Sequence, residues 1–173
     1  MQHFFNKRIC ALCFFLAFST TQLIAQQWTW VGGSNTTNQN GVYGTKGVAA
    51  ASNQPGARQG SISWTDASGN IWLFGGQGYA ASGSANLLND LWKYNTNTGQ
   101  WTWMGGSNTI DQPGVYGTQG TAAANNQPGA RQNSISWSDA SGNLWLFGGA
   151  GYDVNRDLDL LNDLWKYNVA TGL

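Results

Sequence analysis

Glutamate is absent from this 173-residue chain, and histidine and cysteine occur only as His3, Cys10 and Cys13. Everything beyond position 13 therefore lacks imidazole, thiolate and glutamate carboxylate. That removes the usual nucleophile–base pairs and most transition-metal donor sets, and it leaves no disulfide to form there. Charge is scarce as well. Beyond position 25, six bases (Lys46, Arg58, Lys93, Arg131, Arg156, Lys166) stand against eight aspartates, a net −2. Such a balance offers no basic surface for nucleic acid or anionic lipid. These gaps predict a chain that is not an enzyme and carries no cofactor.

Residues 1–25 read as a secretory signal peptide: Lys7 and Arg8, an apolar run from Ile9 to Phe18, then a polar stretch closing on Ala25, where cleavage is expected. The apolar run is about half of the ~20 residues that a membrane-spanning helix requires. The expectation is a secreted or cell-surface protein with no membrane insertion after cleavage, whose working part is 26–173.

What the chain has in abundance is repetition. Residues 27–99 recur as 100–172 without a gap, identical at 53 of 73 positions. Repetition at a fixed period marks an array in which each unit buries its apolar face against a neighbour. Ten tryptophans supply that face, each burying roughly 150–250 Å².

Inside a repeat the periodicity is that of strands. Ile62 and Trp64 alternate with polar residues, Asp66 to Asn70 carries turn chemistry, and Ile71-Trp72-Leu73-Phe74 is continuously apolar before Gly75-Gly76 ends the run. Asp90 to Tyr94 and Gln100 to Met104 complete four short antiparallel strands. The fold class is all-β.

Four apolar residues followed by Gly75-Gly76, then Tyr94, then Trp101 resemble the kelch motif, and Gly148, Gly149 and Tyr167 repeat it. The resemblance covers 27–173. It implies β-propeller blades of four antiparallel strands: blade one over 58–106, blade two over 131–172 without its fourth strand, and a lone fourth strand at 27–33. The repeat is longer than the ~50 residues usual for kelch, the excess lying in the inter-blade segments 34–57 and 107–130. Two blades make an incomplete propeller, so the partners implied are further blades of a longer chain, or other copies of this one. In the second case 27–33 of one copy fills the missing strand of the next. Kelch propellers also form the core of galactose-oxidase-like enzymes, but that copper site needs two histidines and a cysteine-linked tyrosine, which 26–173 cannot supply.

Strand connectivity puts 77–88 and 34–57 at one end of a blade and the tight turns at the other. Kelch-like propellers bind partners through the long-loop end, and function on rigid scaffolds sits in such loops. Of the 20 differences between copies, seven are consecutive: 80–86 against 153–159. The candidate binding residues are therefore Tyr79, Ala80, Ser82, Ser84 and Asn86, with Tyr152, Asp153, Asn155, Arg156, Asp157 and Asp159. Drift in an unpacked loop is the plainer account of the same variation. Asp153, Asn155, Asp157 and Asp159 alternate as calcium ligands do, yet Leu158 and Leu164 occupy the glycine and glutamate positions of an EF-hand, leaving a looser calcium loop or a solvated acidic one. Tyr43 and Tyr116 are expected to anchor the 34–57 and 107–130 segments as flaps. Asp66, Asp139, Asp90 and Asp163 read as turn caps. Arg58 and Arg131 read as structural if paired, or as anion ligands if exposed. The function expected is binding of a protein or glycan at the long-loop end; the alternative is a passive spacer array of a larger surface protein.

Overall fold

The computed structural model describes residues 27–173; the expected signal peptide and its expected cleavage position lie outside the described residues. Nine strands form, all antiparallel, and no helix appears among the described residues: β1 (Arg58–Gln59), β2 (Ile62–Thr65), β3 (Ile71–Gly78), β4 (Asn86–Asn95), β5 (Gln100–Gly105), β6 (Arg131–Gln132), β7 (Ile135–Ser138), β8 (Leu144–Tyr152) and β9 (Leu158–Tyr167). The first sheet runs β1-β3-β4-β5 with β2 also on β3, so β1 and β2 behave as one edge strand interrupted at Gly60-Ser61. The second sheet repeats this arrangement with β6 and β7 on β8, and β9 on the other side of β8. Neither sheet closes on itself.

The tight turns follow from single side chains. Asp66 Oδ1 accepts the Ser68 and Asn70 amides, each at 2.9 Å, while Oδ2 accepts the Trp72 indole N–H at 2.8 Å. One carboxylate thus closes the β2–β3 turn and aims Trp72 of β3, and Asp139 does the same for Trp145. Asn95 Oδ1 accepts the Asn97 and Thr98 amides to turn β4 into β5.

Two expectations need correction. Gly75-Gly76 does not end its strand: both glycines adopt positive φ (61° and 95°), the register shifts between Phe74 and Gly76, and pairing with β4 resumes to Gly78. A β-bulge of this kind bends a ladder without ending it. The expected 77–88 loop shrinks to 79–85, and its counterpart to 153–157. The second correction concerns 27–33, which contains no strand; Trp28 is 95% exposed. Its counterpart β5 is a strand because β4 precedes it and supplies hydrogen-bond partners.

The core lies between the sheets. Register places Ile62, Trp64, Trp72, Phe74 and Leu91 on one face of the first sheet. They pack on Leu144 and Leu146 of the second, with Met104, Trp165, Tyr167 and Val169 around them. Trp64 also donates its indole N–H to the Trp145 carbonyl at 3.0 Å. The same face of the second sheet is uncovered. Ile62, Trp64, Phe74 and Leu91 are 6–9% exposed, whereas Ile135, Trp137, Phe147 and Leu164 are 40–63% exposed. Burying one such side chain stabilises by about 1.5–3 kcal/mol, so the second sheet holds an unburied copy of the core that stabilises the first.

Candidate functional site

The long-loop end is organised by a buried carboxylate. Asp90, fully buried on β4, accepts both Arg58 Nη atoms at 2.7 Å, the Trp92 indole N–H at 2.7 Å and the Tyr43 hydroxyl at 2.6 Å. Arg58 adds bonds to the Gly56 and Gly75 carbonyls, fixing the start of β1 against the bulge. The arginine thus takes the paired role rather than that of an exposed anion ligand. Asp90 is not the turn cap expected from sequence, and neither is Asp163. Asp163 holds Arg131 at 2.6 and 2.8 Å, the Trp165 indole at 2.7 Å and the Tyr116 hydroxyl at 2.7 Å. A carboxylate removed from water needs such a set of donors, because burial alone would drive it neutral.

Tyr43 belongs to the 34–57 segment and is itself buried, its ring 4.8 Å from Trp92 and 5.2 Å, edge-on, from Trp103. Around it the segment folds as a flap. Val42 and Gln54 exchange backbone bonds, Asn53 Nδ2 bridges the Val48 and Trp101 carbonyls, and Lys46 lies 4.4 Å over Trp103 while bonding the Gly106 carbonyl. Gly44 sits at φ +61° against the Asn53 side chain, where a Cβ would overlap Oδ1.

The electrostatics follow from burial. Burial, reinforced by Asp90, pushes the Tyr43 phenol far above its ordinary range, and Tyr116 is pushed up to about 12 by burial and Asp163. Burial works against ionisation of Asp163, but the bonds from Arg131, Trp165 and Tyr116 outweigh it and hold its pKa below the usual carboxylate value. Both phenols are neutral donors at neutral pH, and the cluster's polar groups are committed to one another.

The flaps support the β3–β4 and β8–β9 hairpin tips, where most of the sequence-predicted contact residues fall. The Gly41 amide donates to the Ala80 carbonyl and the Tyr79 amide to the Ala57 carbonyl. Gly56 presses on the Tyr79 carbonyl so closely that no Cβ fits, as Gly129 does on Tyr152. Ser82 and Ser84 are exposed; Ala80 is fully buried; Asn86 is half-buried in β4 and donates to Asp111 Oδ2 at 2.9 Å. In the second copy Asn155, Arg156, Asp157 and Asp159 are exposed, Asp159 within β9. Asp153 Oδ1 closes its own tip by accepting the Asn155 and Asp157 amides at 2.8 Å. Its carboxylate is used locally, and among the described residues no three acidic, histidine or cysteine side chains gather as a metal site.

At the opposite end lies a groove of about 470 Å³ that sequence reasoning did not place. Its lining comes from three turns: Asp66, Ala67 and Ser68; Ser141, Gly142 and Asn143; Asn168, Val169 and Ala170. The clue was present in the recurrence of the turn residues, but their meeting depends on how the two sheets pack.

No protein-family model matches this chain, and no curated protein matches it.

Proposed function

We propose that the chain is an exported binding module built from kelch-type propeller blades, presenting its hairpin tips to a protein or glycan partner at or outside the cell surface. One observation carries this reading. In both copies an equivalent arginine–aspartate–tyrosine–tryptophan cluster fixes an equivalent flap, while the tip above it changes at seven consecutive positions. The first tip bears no charge, and the second bears Asp153, Asp157, Asp159 and Arg156. A fixed frame with a variable, solvent-facing tip is how rigid scaffolds carry recognition. The repeated antiparallel sheets and the Gly-Gly, Tyr and Trp positions support the propeller assignment.

The test is selection of ligands from a glycan array and a displayed peptide library, followed by exchange of 153–159 for the sequence of 80–86. Ligands of this site lose binding when the acidic tip is exchanged. Ligands that bind the exchanged chain equally well would overturn the assignment. The uncovered row Ile135, Trp137, Phe147 and Leu164 favours a second reading, a stacking element of a structural array. On that reading no selected ligand depends on either tip.

A further inference from the structure

We infer that the two hairpin tips and the segment between them, 107–114, form one contact surface for a single extended, cationic segment of a partner protein. The inference rests on the binding-module reading and deepens it. It makes the two tips one site rather than two, and it adds Ile110, Asp111 and Pro113 as specificity-determining residues.

The segment runs from one tip to the other. On the first side the Ala81 amide donates to the Asn108 carbonyl at 3.1 Å and the Asp111 amide to the Leu87 carbonyl at 2.9 Å. Asn86 Nδ2 adds its bond to Asp111 Oδ2 at 2.9 Å. On the second side the Gly114 amide donates to the Asp153 carbonyl at 3.1 Å. Asp111 and Gly114 are three residues apart, a span of at most about 11 Å. A standard protein interface covers about 800 Å² on each partner, a patch roughly 30 Å across. A partner protein seated on one tip therefore meets the segment and the other tip as well.

The differences between the two copies converge on this surface. Six positions differ between 34–57 and 107–130, and three of them are 110, 111 and 113, where the first copy has Thr37, Asn38 and Asn40. Sequence order hides the grouping, because Asn86 and Asp111 stand 25 positions apart. The turn does not demand the change of charge at Asp111. Asn38 and Asp111 adopt nearly the same left-handed φ, 59° and 60°, so this position carries either residue on one backbone path.

Composition selects the partner. The stretches 80–86, 107–114 and 153–159 contain no aromatic residue, so they offer no ring on which a sugar could stack. They offer instead small uncharged residues at the first tip, Ile110 and Pro113 in the middle, and four aspartates against one arginine, a net −3. The charge rises towards the second tip. A polypeptide lying across the surface with lysine or arginine at that end matches it, and opposite charge speeds the encounter.

The test offers the full chain a displayed peptide library and a glycan array, then scores the selected ligands on two variants. The first combines Ile110→Thr, Asp111→Asn and Pro113→Asn, the residues of the first copy. The second is Asn108→Arg, which places a positive charge on an exposed residue whose carbonyl alone is bonded to the first tip. Peptides that depend on 153–159 should carry lysine or arginine, bind one per chain by calorimetry, and weaken about tenfold on each variant. Should the triple variant unfold at a lower temperature, Asn108→Arg decides. Peptides that depend on 153–159 but bind both variants unchanged would overturn the inference while leaving the binding-module reading in place. Two peptides per chain, or glycans as the tip-dependent ligands, would overturn it too. Ligands that ignore both tips would overturn the inference and the reading together.

Discussion

The Tyr43 hydroxyl donates to Asp90 Oδ2 at 2.6 Å across 47 positions of chain, and Tyr116 reaches Asp163 across the same interval at 2.7 Å. This bond ties the flap to the sheet. Tyr43→Phe keeps the ring packing on Trp92 and Trp103 and removes the donor. Hydrogen bonds to charged groups contribute about 1.5–3 kcal/mol, and denaturant unfolding should report a loss in that range. Amide exchange should rise first at Val42 and Gln54. A variant with unchanged stability and protection would show that the aromatic contacts hold the flap unaided.

Removing one member of the buried pair should be more damaging. Asp90→Asn leaves Arg58, only 7% exposed, without its counter-charge, and stranding a buried charge costs about 3–5 kcal/mol. Arg58→Met should be comparable. The double variant should lose less than the two singles combined, by more than about 1 kcal/mol in a double-mutant cycle. Strict additivity would contradict direct coupling.

Stability should have an acid limb and an alkaline limb with known owners. The folded pKa of Asp163 is depressed, so its contribution is complete above the ordinary carboxylate value of about 3.9 and fades as pH falls through the lower folded value. The folded pKa of Tyr116 is raised to about 12. Its contribution is complete below the ordinary phenol value of about 10 and fades as pH rises towards 12. Tryptophan fluorescence against pH follows both limbs. Asp163→Asn should shrink the acid limb, which Asp66 and Asp139 share because their pKa values are also lowered, and Tyr116→Phe should shrink the alkaline one, which Tyr43 and Tyr167 share; limbs unchanged in these variants would show that Asp163 and Tyr116 contribute nothing to them.

Two glycines separate steric need from backbone need. Gly56 does not have a positive φ, but an added Cβ would overlap the Tyr79 carbonyl oxygen, so Gly56→Ala must displace the flap or the tip. Gly47 sits at φ +79° with open space around it, and Gly47→Ala carries only the left-handed penalty of about 1–2 kcal/mol. Thermal unfolding of the two variants should rank Gly56→Ala well below Gly47→Ala. The reverse order would mean the flap accommodates a methyl group there.

How much of this was legible depends on how local each determinant is. The β2 alternation of Ile62 and Trp64, and the Asp66 turn, are complete within a few residues and read directly as strand and turn. Gly75-Gly76 misled because a glycine pair carries the same letters whether it ends a strand or bulges it; only the partner strand decides. Asp90 looked like a cap because its neighbours are strand residues near a turn, while its true partners lie 32 and 47 positions away. The groove at the turn end needs both sheets in place before it exists. At the tips, sequence variation located exposed residues but not the burial of Ala80 or the use of Asp153 for its own turn.

The duplicated carboxylates leave the folding chain with a choice that side-chain chemistry does not resolve. Asp90 and Asp163 present equivalent acceptors, and Arg58 suits either. What distinguishes them is contour length: Arg58 is 32 residues from Asp90 and 105 from Asp163. Loop-closure entropy favours the nearer partner by about 1 kcal/mol, roughly a sixfold preference at the moment of encounter. By the same measure Arg131 lies 32 residues from Asp163 and 41 from Asp90, a preference of only about 0.2 kcal/mol, so proximity along the chain selects the partner of Arg58 while Arg131 must be sorted by the packing of its own sheet.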